Sequence, residues 1–290
     1  MKKYIFTSTL FLILNNFLAF SFDWPQTKIV QSDQFYSYFG QLRGDTISNS
    51  LIFSDPSEAK AANKGKVVIT ISDFNDQTDF FPSTLGNTVI LSHEDNLLTV
   101  YGNIDHDSMS EEVKDSKTVE SGTELGQTGN SAWQQGHSSL EFQVIDIKNN
   151  TAINPRILMP RVGKELSLYY GEVILQNKNG KQFKISTQNV IPSGIYKVYR
   201  KRQAIAVPYK TRVAINGTLV DQISYDVLRQ NDLQLCAVGK KNYPKAVLYP
   251  NDELQLMGEI SLTPGKNSLQ LYLTDILGKE TPATYIVSVY

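Results

Sequence analysis

The stretch GHSSLEFQV, residues 136–144, carries the pattern that decides the fold class. Leu140 and Phe142 are apolar, whereas Ser139 and Glu141, which alternate with them, are polar. A side-chain period of two is typical of a β-strand that packs one face against a core and turns the other outward. The stretch therefore predicts a β-strand that places Ser139 and Glu141 together on its outward face.

The same period recurs along most of the chain, so the predicted fold class is all-β. The segments TVILSH and LLTVYGNI flank EDN and predict a hairpin. Asn179-Gly180 and Asn216-Gly217 each predict another hairpin, because Asn-Gly favours the tight turn between two strands. Near the C-terminus, NSLQLYLTDILGKETPATYIVSVY predicts two long strands around a central turn.

Charge divides the chain into two unlike halves. Of the 290 residues, 41% are hydrophobic and 20% are charged, which is ordinary for a globular protein of one to three domains. Residues 22–165 hold 20 acidic and 11 basic residues, a net charge of −9. Residues 166–290 hold 9 acidic and 15 basic residues, a net charge of +6. Opposite charges indicate two domains that attract each other, or two unrelated solvated surfaces.

The N-terminus, MKKYIFTSTLFLILNNFLAF, has the pattern of a secretory signal peptide. Two lysines precede an apolar run, and Ala19 and Ser21 are small residues before a cleavage site, so residues 1–21 are predicted to be removed. The alternative is a retained membrane anchor, although the run is short and two asparagines interrupt it. No later segment is long and apolar enough to span a bilayer. The single cysteine, Cys236, excludes an internal disulfide, so an exported fold depends on its core.

Six motifs in order, from about residue 35 to residue 155, resemble the lysostaphin/LytM-type zinc endopeptidases, which cleave peptides of cell-wall peptidoglycan. They are YSYFGQLR, SLIFSDPSEAKAANKGKVV, GNTVILSHEDNLLTVYGNI, VESGTELGQTGNS, SSLEFQV and AINP. Each motif alone has low specificity, and their shared order carries the resemblance. The resemblance implies that this part of the chain folds as the β-sheet core of that family.

The resemblance also implies where the family's zinc and catalytic residues would fall. The family binds zinc through the His and Asp of H-x-x-x-D, which fall on Ser48 and Ile52. The third ligand, the second His of H-x-H, falls on Glu141. Two assisting histidines fall on Ser139 and, in the motif Tyr-x-His, on Asn103. The chain therefore resembles a degenerate member that lacks the family's zinc-binding and catalytic side chains.

This set of side chains predicts that the domain holds no zinc and hydrolyses no peptide. Catalytic zinc needs about three N, S or carboxylate ligands, and among the five positions only Glu141 offers one. Without zinc no bound water is activated, and the amide of Asn103 cannot act as a general base. The cleft would then serve for binding, with Tyr101 and His137 as further candidate contacts.

A relocated metal site is the alternative interpretation of the chain's three histidines. His137 lies on the same predicted strand face as Glu141, so these two residues and Asp45 could form such a site. The other interpretation is that all three histidines are exposed polar residues, with His93 in a hairpin turn and His106 in an acidic loop.

The predicted organisation is a signal peptide (1–21), a LytM-type β domain (22–165), a connecting β segment (166–198) and a second β domain (199–290). The connecting segment is assigned to neither domain. The last quarter of the chain resembles the final strand pair of bacterial immunoglobulin-like domains, which implies a β-sandwich.

The basic stretch YKVYRKRQAIAVPYKTR concentrates positive charge near the start of the second domain. It predicts an anion-binding strip for cell-wall polymer, anionic lipid headgroups or the acidic N-terminal domain. The alternative is an exposed strand whose charge maintains solubility. The residues of the strip are Lys197, Arg200, Lys201, Arg202, Lys210 and Arg212.

Three hypotheses of function follow. The first is an inactive peptidase-like protein of the periplasm or cell surface that binds a cell-wall peptide or an envelope protein, but no nucleic acid. Similar degenerate members of the family activate cell-wall amidases, yet they carry a coiled coil that this sequence lacks. The second is an active zinc metalloendopeptidase with relocated ligands. The third is a structural or adhesion protein of the envelope.

Overall fold

A computed structural model describes residues 22–27, 35–72, 83–115, 117–133, 137–161 and 164–290. The signal peptide predicted at residues 1–21 lies outside these ranges. Within them, no helix is long and apolar enough to cross a membrane. Strands dominate and the helices are single turns, which confirms the predicted all-β fold.

The N-terminal half is built from short strands. They are β1 (Phe35–Ser37), β2 (Leu42–Arg43), β3 (Thr46–Ile47), β4 (Leu51–Phe53), β5 (Glu58–Lys60), β6 (Gly65–Ile71), β7 (Thr88–Ser92), β8 (Leu97–Gly102), β9 (Thr118–Val119), β10 (Glu124–Gln127), β11 (Glu141–Asp146) and β12 (Thr151–Ile153). Its single-turn helices are α1 (Glu111–Lys114) and the 3₁₀ turns His106–Ser108 and Pro155–Ile157.

The C-terminal half has longer strands. They are β13 (Val173–Asn177), β14 (Gln182–Lys184), β15 (Val190–Ile191), β16 (Gly194–Lys201), β17 (Lys210–Ile215), β18 (Thr218–Asn231), β19 (Gln234–Gly239), β20 (Asn242–Pro244), β21 (Leu254–Leu262), β22 (Gly265–Thr274) and β23 (Glu280–Val289). One helical turn, α2 (Lys245–Leu248), follows β20.

A large sheet runs through both halves, in the order β15-β23-β22-β17-β18-β12-β11-β8-β7-β6-β9. The strand predicted from the motif SSLEFQV is β11, which pairs antiparallel with β8 and sets Phe142 opposite Tyr101. The start of β11 also pairs with β4. Phe142 and Val144 enter the apolar core of this half, as their alternation predicted.

The turn chemistry of the sequence is confirmed at the predicted hairpins. β7 and β8 pair around EDN, and Asn179-Gly180 lies in the turn between β13 and β14. Asn216 and Gly217 connect β17 to β18 with φ angles of 51° and 83°, the left-handed pair that a tight hairpin turn needs. β22 and β23 form the predicted long pair.

Two sheets pack face to face in the C-terminal half. β13, β14, β16 and β21 form one sheet, and their apolar side chains meet those of β17, β22 and β23 in a single cluster. Residues 166–198 supply β13, β14, β15 and the start of β16, so this segment belongs to the sandwich and does not act as a connection. An immunoglobulin-like strand order stays a prediction.

The two halves are joined through backbone pairing and a shared apolar core. β12 pairs with β18, with Ala152 opposite Leu228, so the large sheet continues from one half into the other. Apolar side chains from both halves fill the junction: Phe39, Ile47 and Ala152 meet Tyr199, Tyr225, Leu228, Leu248 and Tyr249. An ion pair of Lys245 with Asp45, at 3.4 Å, lies beside this core.

Candidate functional site

The polar face of β11 is buried, which corrects the expectation that it faces outward. Ser139, just before the strand, and Glu141, its first residue, are each 1% exposed. Arg43 on β2 contacts this end of the strand and covers it. A carboxylate is rarely fully buried unless it is paired, so the partner of Glu141 decides what this site can do.

Glu141 is held by Arg43 in a two-pronged ion pair. Nη1 of Arg43 donates to Oε1 of Glu141 at 2.6 Å, and Nη2 donates to Oε2 at 3.0 Å. Nη1 also donates to the Ser50 hydroxyl at 3.3 Å. The planar guanidinium matches both carboxylate oxygens, which makes this a strong and directional contact. Both oxygens of the site's one acidic side chain are thus engaged by a fixed positive charge.

The two positions on the β4 side offer little to a cation. Ile52 lies opposite Glu141 in the register of β4 and β11, and it is 2% exposed. Ser48, which precedes β4 and is 1% exposed, donates its hydroxyl to the Ser50 carbonyl at 3.3 Å. One side chain is apolar, and the other is a neutral hydroxyl that is bound to the backbone.

Asn103 fixes the loop that precedes β11. Its Nδ2 donates to the carbonyls of His137 and Ser139 at 3.1 and 2.9 Å. Its Oδ1 accepts the backbone N–H groups of Ser131 and Ala132, both at 3.0 Å. Asn103 has a φ of 65°, a left-handed conformation that Asn tolerates better than most residues. The amide therefore holds the loop in place and has no group left to accept a catalytic proton.

Ser139 and Tyr101 also line the bottom of the cleft, and both side chains form hydrogen bonds within the protein. The Ser139 hydroxyl donates to the Ser54 carbonyl at 3.1 Å. The Tyr101 hydroxyl accepts the backbone N–H of Ala62 at 2.7 Å, and its ring packs on Phe142. Burial raises the pKa of Tyr101 to about 12, so the phenol stays neutral. Tyr101 is fully buried, so it is not available as a ligand contact.

Two of the three histidines, His93 and His106, differ from their predicted environments. His137 is exposed, and its ring packs against Tyr36 with 4.1 Å between centroids and 35° between the ring planes. His93 is buried, which corrects its assignment as an exposed residue: its ring nitrogens lie 2.8 Å from the Lys64 carbonyl and 2.8 Å from the Thr99 hydroxyl. His106 is half-buried in a 3₁₀ turn and is likewise not exposed.

The basic residues do not gather into one strip. Arg200 is fully buried and donates to Oε1 of Gln255 at 3.0 and 2.7 Å, so its assignment to an exposed strip is wrong. Lys197 lies on β16 in one sheet, whereas Arg212 lies on β17 in the other and pairs with Glu280. Lys201 and Lys210 are divided between the same two strands, and Arg202 follows β16.

Two residues of the site were missed from sequence, Arg43 and Tyr36. Both lie in YSYFGQLR, a motif that the resemblance to LytM-type proteins already singles out. The signal that could have found Arg43 is the acid at position 141 on a core strand, because such a carboxylate needs a nearby base. Nothing in the sequence indicates that Tyr36 packs against His137.

Comparison with known proteins follows the same division of the chain. The model of the family described as Peptidase family M23 matches residues 50–155. This chain carries a peptidase family M23 domain. The match includes Ile52, Asn103, Ser139 and Glu141, and the predicted resemblance to LytM-type proteins is confirmed. A second family model matches residues 167–290.

A relative of known sequence is an uncharacterized protein of Treponema pallidum (strain Nichols). It is 32% identical over 124 residues, which cover 40% of this chain and 81% of that protein.

Several solved structures resemble part of this chain. A zinc-containing peptidase from Vibrio cholerae is 22% identical, with a TM-score of 0.33, and the match covers 43% of this chain. This chain spans 36% of that peptidase. A mutant catalytic domain of the prophage-encoded M23 protein EnpA from Enterococcus faecalis is 22% identical, with a TM-score of 0.33, over 42% of this chain and 87% of that one. A chain of a pore-forming SpoIIQ–SpoIIIAH complex is 20% identical, with a TM-score of 0.31. The match covers 44% of this chain and 73% of that one.

The M23 family is normally zinc-dependent, and the side chains of this M23 domain do not fit that ion. In the described ranges, no group of three His, Cys, Asp or Glu side chains could hold a metal. The alternative set of His137, Glu141 and Asp45 is divided: Glu141 binds Arg43, and Asp45 pairs with Lys245. A zinc ion beside Glu141 would meet the guanidinium of Arg43 and the apolar side chain of Ile52, so these side chains do not offer zinc the ligands that it needs.

Proposed function

We propose that this is an exported protein of the cell envelope whose M23 domain binds a partner and does not cleave peptides. Support for export comes from the signal-peptide pattern of residues 1–21. Support for an inactive domain comes from the five family positions, which hold Ser48, Ile52, Asn103, Ser139 and Glu141.

The observation that carries the proposal is the ion pair of Arg43 with Glu141. In an M23 peptidase, a divalent cation supplies the positive charge at this point and activates water. Here the guanidinium supplies positive charge but has no open coordination position, so it cannot bind and deprotonate a water molecule. In the cleft, the charge of Arg43 therefore neutralises Glu141, but no group activates a water molecule for hydrolysis.

Binding is expected at the rim of the cleft, because the floor is closed. Ser139, Glu141 and Asn103 are at most 1% exposed and are bonded within the protein. Tyr36 is 44% exposed, and with the exposed His137 it forms a pair of tilted rings in contact, the rim pair. Two rings in contact present an apolar face with polar edges, which suits a cell-wall peptide or a protein side chain.

The two other hypotheses have their own distinguishing results. An active endopeptidase with relocated ligands would retain zinc and release wall peptides. A structural or adhesion protein would bind through the C-terminal sandwich, and changes at the rim pair would then leave binding intact.

The first test measures metal content and hydrolysis in the purified protein. We expect less than a tenth of an equivalent of zinc after a chelator wash, and no release of peptides from peptidoglycan in added zinc. An active zinc-dependent M23 peptidase serves as the positive control for both assays. Near-stoichiometric zinc together with turnover would overturn the proposal.

The second test measures retention of envelope proteins and of peptidoglycan fragments on the immobilised protein. Tyr36→Ala and His137→Ala are expected to lower retention, because both rings contribute to the rim pair. Tyr290→Ala is the matched control, since Tyr290 is 71% exposed at the far end of the C-terminal half. Equal retention by all variants would argue against the rim, and a loss limited to Tyr290→Ala would favour the adhesion hypothesis.

A further inference from the structure

We infer that the C-terminal half positions Arg43 in the M23 cleft. The element that connects them is the Arg43 hairpin, defined as residues 40–48, in which β2 and β3 pair with Arg43 opposite Thr46. One side of this hairpin contacts Glu141, and the other side contacts the C-terminal half. This role of the C-terminal half does not depend on whether the rim pair binds a partner.

The Arg43 hairpin is not part of the large sheet. β2 and β3 form a separate two-stranded sheet. At its base, the Gly40 N–H donates to the Ser48 carbonyl at 2.8 Å, and the Ser48 N–H donates to the Gln41 carbonyl at 2.7 Å. An isolated two-stranded hairpin is marginally stable at best, so its position depends on the surfaces that it packs against.

Polar contacts fix the hairpin to the C-terminal half along its length. The Tyr249 hydroxyl donates to the Gly40 carbonyl at 2.6 Å. Nε2 of Gln41 donates to the Ala204 carbonyl at 2.6 Å. At the tip of the hairpin, Lys245 pairs with Asp45 at 3.4 Å. The base and the tip are therefore both held from the C-terminal side.

Apolar packing adds to these contacts. Ile47 of β3 is fully buried in the junction core, where Leu248 and Tyr249 also lie. Gly40, with a φ of 82°, lies so close to Tyr225 that a Cβ would be 2.7 Å from its ring. The positive φ angle and the close contact with Tyr225 both require a residue without a Cβ at this position. The hairpin thus fits closely against the C-terminal half.

Tyr249 is itself held by a buried polar chain. Nε2 of Gln255 donates to the hydroxyls of Tyr225 and Tyr249 at 2.8 and 3.2 Å. Oε1 of Gln255 accepts from Arg200, which is fully buried. Burial also raises the pKa of Tyr249, so its hydroxyl remains a donor. A continuous path of hydrogen bonds leads from Arg200 through Gln255 and Tyr249 to the backbone of the Arg43 hairpin.

The consequence is that closure of the cleft depends on the docking of the two halves. Loosening the C-terminal contacts would free the hairpin, and Arg43 would leave Glu141 more often. The C-terminal half therefore positions the guanidinium of Arg43, which lies where the family's peptidases hold a metal ion.

The test removes one hydroxyl at the junction of the two halves and measures how mobile and accessible the Arg43 hairpin becomes. Tyr249→Phe deletes the donor to Gly40 and the weaker acceptor of the Gln255 amide, and Tyr243→Phe is the matched control. Tyr243 is 1% exposed, and its hydroxyl donates to Asp221 at 2.7 Å, entirely within the C-terminal half. Two rates are measured in the purified protein: amide hydrogen exchange over residues 40–48 and modification of Arg43 by phenylglyoxal.

We expect Tyr249→Phe to raise both rates by about tenfold and Tyr243→Phe to leave them within about twofold of wild type. Unchanged rates in Tyr249→Phe, or equal increases in both variants, would overturn the inference. Lys245→Glu is a second variant that keeps the core intact and repels Asp45. It should speed exchange at the hairpin tip by about twofold to fivefold at low salt, and no change there would also count against the inference.

Discussion

At the scale of single residues, the site depends on how a buried carboxylate is neutralised. Glu141 is 1% exposed, and an ionised carboxylate at such a place is tolerated only with a close partner. Arg43 meets this need with two hydrogen bonds and the positive charge of its guanidinium. The pair keeps the negative charge of Glu141 in the cleft without a metal.

Removal of Arg43 alone should destabilise the protein. Arg43→Met leaves the Glu141 carboxylate buried without its main counter-charge, and we expect a loss of about 2–4 kcal/mol in the free energy of unfolding. The estimate lies below the largest measured penalties because 34% of the Arg43 side chain is exposed to water. Urea denaturation followed by circular dichroism measures the change.

The double variant Arg43→Met with Glu141→Gln is the control for that prediction. Glutamine removes the buried charge and keeps a similar shape, so most of the lost stability should return. If the double variant is as unstable as Arg43→Met alone, then lost packing of the arginine stem explains the effect and the ion pair does not.

His93 is expected to make stability depend on pH. Burial lowers the pKa of His93, while the hydrogen bond to the Lys64 carbonyl opposes this shift in part. The unfolded chain then binds more protons than the native protein below about pH 6.5, so stability should fall as pH falls through this window. His93→Gln should make the urea midpoint less dependent on pH between about pH 7.5 and 5.5. If the pH dependence is unchanged in this variant, other titratable groups cause it.

Sequence alone assigned residues to the family's zinc-binding and catalytic positions, which stays a prediction, but it did not give the surroundings of those residues. Ser139, Glu141 and Asn103 could be placed because Tyr101 and Phe142 fix the register of β8 and β11. The contact of Glu141 with Arg43 joins residues far apart in the chain, and local alternation carries no information about such pairs. The burial of His93 was missed for the same reason, because Phe22 reaches it from the N-terminus.

At the scale of elements, turns were the most predictable feature, since their geometry is set locally. Gly86 precedes β7 with a φ of 65°, and a Cβ there would lie 2.4 Å from the Ser131 hydroxyl. Ser131 belongs to the loop that Asn103 binds through Oδ1. The turn at Gly86 and the loop before β11 are therefore one packed unit, and this contact could not be read from either segment alone.

The close approach at Gly86 gives a prediction with an internal control. Gly86→Ala combines left-handed backbone strain with a clash against Ser131 and Ala132, and it should cost about 2–4 kcal/mol of stability. Gly122 has a similar φ of 81° but no atom within 4 Å of an added Cβ, so Gly122→Ala should cost only about 1 kcal/mol. Thermal unfolding compares the two, and equal losses would contradict a special role for the Gly86 contact.

At the scale of the whole molecule, the halves differ in charge but share one sheet. The change in charge and pattern near residue 166 was visible in the sequence. The pairing of β12 with β18 was not, because it joins strands that are distant along the chain. A shared sheet and a shared apolar core join the two halves, and the ion pair of Lys245 with Asp45 lies beside them.

This continuity predicts that the halves unfold together. Both tryptophans, Trp24 and Trp133, lie in the N-terminal half, so tryptophan fluorescence reports on that half alone. Leu271→Ala creates a cavity in the core of the C-terminal sandwich, where Leu271 is fully buried, and it should cost about 2–4 kcal/mol. If unfolding is cooperative, the urea midpoint by fluorescence must shift as far as the midpoint by circular dichroism. A fluorescence midpoint that stays at the wild-type value would show that the halves unfold independently and that the β12–β18 pairing does not couple them.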